Sequence, residues 1–285
     1  MSKTESVISR HLGGPLSVLI VSLAFLVVGT VVSGCGGSKS KSSTEVASAA
    51  NAPENVPAPA PNTPAYAVRE VANGGTIAGQ ITFLGRPMPP RLVAVNQDVS
   101  VCGSQRKIYP VKVDDGGIVD AVVWIDDIHE GKAYNFPSAV LDQKKCSYNP
   151  HIVLMQPGDL KVTTSDPVPH NVHSYSESNR TYNESMNPLN REVTLHLARP
   201  ERITFKCDLH GWMEAFIVVA SNPYYAVTQR AGSFRLQDVP PGIYHMKTWQ
   251  ETLGELDHTV TVEAGKTVTV NFQFNSTNSE RAEVR

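Results

Sequence analysis

Cysteine is scarce in this sequence. Only Cys35, Cys102, Cys146 and Cys207 occur among 285 residues, and no two of them form a C-x-x-C pair. A small scaffold held together by disulfides needs a denser set of cysteines, so that class is excluded. The chain is also long enough to bury a core of its own in one domain or two.

An excess of charge of one sign is missing as well. Lys and Arg number 25 against 27 Asp and Glu, which gives a formal net charge of −2. Nucleic-acid binding through a basic surface is therefore not expected. With 18% charged and 41% hydrophobic residues, the composition also excludes a chain that is disordered throughout.

The N-terminal residues have the pattern of a secretory signal. Basic Lys3 and Arg10 precede an apolar run at 15–32, and small residues then lead to Cys35. This arrangement resembles the lipobox of bacterial lipoproteins, which implies cleavage before Cys35 and lipid attachment to it. The alternative is an uncleaved N-terminal membrane helix, because about eighteen apolar residues can span a bilayer. Both interpretations place the rest of the chain outside the cytoplasm.

A spacer follows the expected cleavage point. The stretch 36–64 is rich in Gly, Ser, Ala and Pro and cannot bury enough apolar surface to form a core. We therefore assign 1–34 to a signal peptide and 35–73 to a disordered tether, and we expect a disordered tail at 277–285. The lipobox resemblance implies a lipid-anchored protein of the cell envelope that faces the periplasm. Gly36 stands where an aspartate often accompanies inner-membrane retention, which favours the outer membrane.

Sustained helical periodicity is almost absent from the remaining sequence. Short runs rich in β-branched residues are instead bounded by Gly, Pro, Asn or Asp, as is typical of strands. The expected strands are 76–83, 119–125, 151–155, 160–164, 193–197, 202–206, 215–220, 233–236, 242–249, 256–262 and 267–274. The pattern predicts an all-β protein built as an antiparallel sandwich or barrel.

The last group of strands resembles a known small module. The pattern G-x-F-x-L-x-D-V-P-P-G-x-Y runs from Gly232 to Tyr244, and V-x-A-G-x-x-V-x-V closes the group at 262–270. Both patterns are similar to those of carboxypeptidase regulatory-like domains, which are small prealbumin-like β-sandwiches. The resemblance implies a separate β-domain at 222–276 and no activity.

The most specific chemistry lies on one loop. Cys207, His210 and Met213 occur there with C-x-x-H-x-x-M spacing between two expected strands. A thiolate, an imidazole and a thioether together favour copper over magnesium or calcium. A further imidazole, His170, precedes Asn171 at the end of another expected strand. Zinc is the alternative metal, but it would need more Cys, His or carboxylate ligands and has no use for Met213.

These two motifs resemble those of the cupredoxins, the blue or type 1 copper proteins, in the amicyanin or plastocyanin form with a short ligand loop. The resemblance implies a cupredoxin-like Greek-key sandwich at 74–221. It implies one copper ion with four ligands: His170, Cys207, His210 and the weak axial Met213. It also implies that Asn171 ties the His170 segment to the loop, and that His210 lies nearest solvent as the electron port.

Two points stay open in the sequence. His173 could replace or join His170, although residues i and i+3 of an extended strand point to opposite faces. Cys102 and Cys146 could form a disulfide, remain free thiols, or belong with His151 to a second metal site.

The leading hypothesis is a lipid-anchored, extracytoplasmic copper protein that exchanges electrons with an unknown redox protein. The alternatives are a copper-binding or copper-delivery lipoprotein and a structural surface lipoprotein whose cupredoxin fold holds no metal. We expect no catalysis, because Met213 would fill the axial position and leave no site for a substrate. Trp212, beside the ligands, could contribute to a docking patch or pack into the sandwich.

Overall fold

The structure is a computed structural model that describes residues 66–276. The expected signal peptide, the lipidation site Cys35, most of the tether and the tail at 277–285 lie outside the described residues. Among the residues that are described, no helix combines the length and the apolar character needed to cross a bilayer.

The described chain is almost entirely β-structure. The strands are β1 (Ala67–Val68), β2 (Gly75–Leu84), β3 (Arg91–Ala94), β4 (Gln105–Ile108), β5 (Lys112–Asp114), β6 (Gly117–Val119), β7 (Val122–Ile125), β8 (Glu130–Gly131), β9 (Val140–Gln143), β10 (Tyr148–Asn149), β11 (Ile152–Met155), β12 (Gly158–Thr164), β13 (His170–Tyr175), β14 (Asn183–Met186), β15 (Glu192–Leu197), β16 (Glu201–Lys206), β17 (Glu214–Val219), β18 (Tyr225–Val227), β19 (Ser233–Val239), β20 (Gly242–Gln250), β21 (Gly254–Val262), β22 (Thr267–Thr269) and β23 (Phe272–Asn275). A four-residue helix, α1 (Val99–Cys102), and a 3-10 turn (Arg230–Gly232) complete the set. The all-β prediction is confirmed, and each expected strand is present with shifted ends or a break into two.

The first sandwich contains His170 and the loop with Cys207, His210 and Met213. One of its sheets has the order β10-β9-β12-β15, and the other has the order β11-β17-β16-β13-β14. Alternation along β12 buries Leu160 and Val162 between these sheets, where they meet Phe205 and Ile217 from the facing sheet. Most strand pairs in both sheets are antiparallel, but β9 with β12 and β11 with β17 are parallel.

The second sandwich combines residues from both ends of the described chain. Its sheets have the orders β18-β7-β20-β21 and β19-β2-β6-β5, and β22 and β23 also pair with β2. A Cβ at Gly79 on β2 would lie 1.7 Å from the carbonyl oxygen of Val270, so only glycine allows the two backbones to approach this closely. The core therefore joins residues 77–128 to residues 224–274.

Two domains in sequence order, 74–221 and 222–276, were expected, but the strands are grouped differently. The strand at 75–84 was expected in the cupredoxin-like sandwich, but it is the central partner of β19, β22 and β23. Residues 66–73 of the expected tether also belong to the folded part, since β1 pairs with β8 and the amide of Ala67 donates to His129 O at 2.8 Å.

The two sandwiches pack against each other through β7. Val123 and Ile125 of this strand face the second core, whereas Val122 and Trp124 face Phe216 and its neighbours on β11 and β17. A strand buried on both faces has no polar alternation, and β7 consists of Val, Val, Trp and Ile. The sandwiches therefore share a third apolar cluster.

Candidate metal centre

Strand pairing brings the two sequence motifs together. His170 begins β13, and Cys207 directly follows β16, with which β13 pairs antiparallel. Residues 207–213 then turn tightly into β17. The amide of Cys207 donates to Met213 O at 3.2 Å, and the amide of Met213 donates to His210 O at 2.8 Å. These two hydrogen bonds close the loop that carries three of the four expected ligands.

Three donor atoms converge at this loop. The Nδ1 atoms of His170 and His210 are 3.0 Å apart, and Cys207 Sγ lies 3.9 Å from the first and 3.7 Å from the second. Each of the three residues is at most 1% exposed. With zinc bond lengths as a scale, a trigonal metal ion needs donor atoms about 3.5–3.8 Å apart. The set fits one ion after the two nitrogens separate by about 0.5 Å.

The outer nitrogen of each histidine faces a carboxylate. His170 Nε2 lies 3.0 Å from Asp166 Oδ2, and His210 Nε2 lies 3.1 Å from Asp98 Oδ2. A carboxylate accepts a hydrogen bond from Nε2–H, so the Nδ1 lone pair of each ring is left toward Cys207 Sγ. The sequence analysis missed both carboxylates. Asp166, four residues before His170, could have been found by proximity, whereas no local signal marks Asp98.

Asp166 also organises the backbone next to the disulfide. Its two carboxylate oxygens accept the amides of Lys145 at 2.6 Å and Cys146 at 2.7 Å. Both of these residues have positive φ, at 53° and 52°, which is uncommon for residues other than glycine. The carboxylate therefore stabilises a left-handed turn and the expected ligand His170 at once.

Burial shifts the pKa values of His170 and Cys207 in opposite directions. It lowers the pKa of His170 and outweighs the opposing hydrogen bond to Asp166, so the imidazole favours its neutral form. Burial also raises the pKa of the Cys207 thiol, against the hydrogen bonds around it. A neutral imidazole is ready to bind a metal ion, whereas the thiol has to lose its proton on binding.

Asn171 links the two motifs directly. Its Oδ1 accepts the amide of Asp208 at 2.6 Å, and its Nδ2 donates to Asp208 Oδ2 and to Asn183 Oδ1, each at 2.7 Å. A second link, not expected from the sequence, is the buried Tyr148, whose hydroxyl lies 3.0 Å from Asn171 O and 2.9 Å from Lys206 O. The residue after His170 is therefore fixed to the residues on both sides of Cys207.

His173 lies away from the converging donors. Its Nδ1 is 3.1 Å from each oxygen of the Asp208 carboxylate, and its ring stacks on Tyr175. Its side chain is 24% exposed, in contrast to the buried ring of His170 three residues earlier. The opposite faces of the extended strand account for this separation.

The expectation that His210 lies nearest solvent is wrong, because this residue is 0% exposed. It is covered by residues 97–103, here called the cap, which comprise α1 and its flanks. Asp98 holds His210 Nε2, and Gln97 Nε2 donates to Leu209 O at 2.7 Å. Cys102 Sγ lies 3.8 Å from His210 Nε2. The cap therefore closes the side of the site on which an electron port was expected.

Cys102 and Cys146 form a disulfide that fastens the cap. Their sulfur atoms are 1.96 Å apart and their Cα atoms 5.3 Å apart. His151, which could have joined these cysteines in a second metal site, instead pairs with Glu251 Oε1 at 2.8 Å. Cys207 is the one free cysteine among the described residues.

Comparison with known proteins yields one family match and several structural similarities. Residues 208–270 match the family model for domain II of polysaccharide lyase family 4. That range runs from the ligand loop into the second sandwich. No curated protein sequence matches the chain.

The structural similarities are to copper proteins and cover less than a third of this chain. Amicyanin from Paracoccus versutus is 17% identical at a TM-score of 0.26, over 29% of this chain and 81% of that one. The purple cupredoxin from Nitrosopumilus maritimus is 17% identical at a TM-score of 0.25, over 29% of this chain and 99% of that one. The copper-containing nitrite reductase from Thermus scotoductus SA-01 is 12% identical at 0.27, over 31% of this chain and only 24% of its own length.

Proposed function

We propose that this chain is a mononuclear copper protein of the cupredoxin type that carries electrons outside the cytoplasm. One observation carries the proposal: a cysteine sulfur and two histidine nitrogens converge in a buried site at separations of 3.0–3.9 Å. Copper is favoured over zinc because Met213, in the same buried core as Cys207, adds a soft thioether to the thiolate and imidazoles.

The residues around the site would hold a metal ion in a fixed arrangement. Copper, when bound, would supply a one-electron couple between Cu(I) and Cu(II). His170 and Cys207 belong to paired strands, and Asn171 binds the backbone of the ligand loop. Fixed ligands rearrange little when the charge of the ion changes, which favours rapid electron exchange.

The same features favour an electron carrier over a copper-delivery protein. A protein that hands on metal needs ligands that a partner can reach, but His170, Cys207 and His210 are all buried. The cap over His210 is fixed by the Asp98 contact and by a disulfide. We therefore propose that the chain retains its copper ion, and also that it catalyses no reaction.

The compartment belongs to the proposal as well. A disulfide persists in an oxidising environment such as the periplasm, and Cys102 and Cys146 form one. The lipobox-like sequence at Cys35 supports a lipid anchor in the envelope, with the outer membrane favoured. The carboxypeptidase regulatory-like pattern at 232–270 lies within the second sandwich and is proposed to mark its structural type.

Titration of the purified full-length chain with Cu(II) tests the function. The expected result is one copper ion per chain and an intense thiolate-to-copper absorption band, which bleaches on reduction and returns on oxidation with the copper retained. Cys207→Ser should abolish the band. His170→Ala should lose it too, whereas His173→Ala, a matched change three residues away, should keep it. A colourless chain contradicts the proposal, and loss of copper on reduction supports delivery instead.

A further inference from the structure

A groove lies beside the ligand loop, next to the exposed Gly211 and the partly buried Trp212. Its volume is about 360 Å³, and its lining includes Tyr148, Trp212 and Met213 from around the metal centre. The β3–β4 hairpin and the turn after β20 contribute the opposite walls, through residues such as Arg91 and Thr252. The groove therefore reaches the ligand loop at Gly211 and Trp212.

The groove is positively charged although the chain as a whole is not. Four cationic side chains and two carboxylates line it, a formal charge of +2 against −2 for the whole sequence. They are Arg91, Arg106, Lys107, Lys112, Glu214 and Glu251. Both carboxylates are engaged, because Glu251 pairs with His151 at 2.8 Å and Glu214 with Lys206 at 3.2 Å. The negative charges in the groove are thus already partnered.

Two of the four cations have neither an ion pair nor a side-chain hydrogen bond among the described residues. Lys112 is paired with Asp120 at 2.7 Å, and Arg106 donates to Ser147 Oγ and lies within hydrogen-bond distance of Cys102 O. Arg91 and Lys107 are exposed, and neither forms an ion pair within residues 66–276. Unpaired cations at the edge of a groove attract acidic groups and speed their approach.

Trp212 connects the groove to the buried ligands. Its ring centroid lies 5.1 Å from that of His210, and its indole N–H donates to Cys146 O at 2.9 Å. The side chain is partly buried, so one part packs against the core while another part faces the groove. An aromatic residue with an apolar body and a fixed polar end is suited to an interface.

We propose that this groove is the docking surface for a protein partner that presents a cluster of Asp and Glu side chains. That the partner is a redox protein rests on the proposed electron-carrier function; the acidic character of the partner rests on the charges of the groove alone. Docking here places the partner against Trp212, whose ring centroid lies 5.1 Å from that of the buried His210.

Binding to the copper-free full-length chain tests the surface directly. The probes are hexaglutamate and hexalysine, and the readout is the NMR signal of the Trp212 indole N–H. We expect hexaglutamate to shift this signal in a saturable way, hexalysine to leave it unchanged, and about 0.5 M salt to weaken binding strongly because the charges become screened.

Charge-reversal variants show where hexaglutamate binds. Arg91→Glu with Lys107→Glu should weaken hexaglutamate binding at least tenfold. The control, Arg235→Glu with Lys266→Glu, makes the same change in net charge on exposed residues of the second sandwich and should weaken it far less. Equal effects of the two pairs, or an equal response to hexalysine, would overturn the proposal. If the chain turns blue with Cu(II) but does not bind hexaglutamate, only the docking proposal fails. If the chain stays colourless but binds hexaglutamate, only the proposed electron-carrier function fails.

Discussion

At the scale of single residues, the convergence of His170, Cys207 and His210 depends on carboxylates outside this cluster of three donors. Asp166 and Asp98 each hold the outer nitrogen of a histidine, so both rings present Nδ1 to the thiol. Such outer contacts orient ligands and strengthen metal binding. The orientation of both rings therefore depends on these two carboxylates.

Asn171 gives a prediction at this scale. Asn171→Ala would leave the Asp208 amide without its side-chain acceptor and should lower the free energy of unfolding by about 1–3 kcal/mol. Asn183→Ala is the matched control, because Asn183 donates to the Asp208 carboxylate but not to the loop backbone. Denaturant unfolding of the copper-free chain measures both. If both variants lose the same free energy of unfolding, the hydrogen bond from Asn171 to the loop backbone contributes nothing to stability.

The donor residues could be identified from the sequence, but Asp98 and the burial of His210 could not. Cys207, His210 and Met213 share one short loop, so their spacing alone placed them together. Asp98 lies 112 residues from His210 and meets it only because the β3–β4 hairpin crosses the loop. A contact of that separation leaves no local pattern, and the buried state of His210 could not be predicted for the same reason.

At the scale of elements, the cap is held by its disulfide. Cys102→Ser with Cys146→Ser opens a cross-link between residues 44 apart and should cost about 2–4 kcal/mol of stability. Amide exchange in the cap, at Val101 and Gly103, should then quicken more than at Ile217 on β17, since the disulfide bonds Cys102, the residue between Val101 and Gly103. If the cap and β17 quicken equally, the disulfide stabilises the whole fold and does not fasten the cap in particular.

The His151–Glu251 pair makes the free energy of unfolding depend on pH. Burial lowers the pKa of His151, but the hydrogen bond and charge of Glu251 outweigh it, so the pKa is raised above 6.5. A raised pKa in the folded state contributes stability that is complete below pH 6.5 and is lost as the pH rises through the raised value. Between about pH 6 and 8, the free energy of unfolding should fall more for the unmodified chain than for Glu251→Gln. Parallel pH profiles would contradict this.

Strands were easier to predict than their partners. Alternation and β-branched residues mark a strand such as β2 locally, and the structure has one there. Its neighbours β19, β22 and β23 lie more than 150 residues later in the chain, and alternation does not specify which core a strand faces. The fold class followed from local patterns, but the assignment of β2 to a sandwich did not.

At the scale of the whole molecule, the two sandwiches are interleaved along the chain. A chain that ends at residue 221 would keep Ile77, Ile81 and Ile125 but lose the residues they pack against, such as Met246 and Phe274. We expect this truncated chain to be insoluble, because a large apolar surface would be exposed. A chain that ends at residue 276 keeps every described residue and is the control. A soluble, copper-binding chain ending at 221 would contradict the prediction.

The central claim is that Cys207, His170 and His210 bind one copper ion. X-ray absorption at the copper edge of the loaded full-length chain tests it most directly, since the fine structure counts the sulfur and nitrogen ligands. We expect one short copper–sulfur bond and two imidazole nitrogens, with the sulfur contribution lost in Cys207→Ser. Two short copper–sulfur bonds, or only oxygen and nitrogen ligands in the unmodified chain, would contradict it.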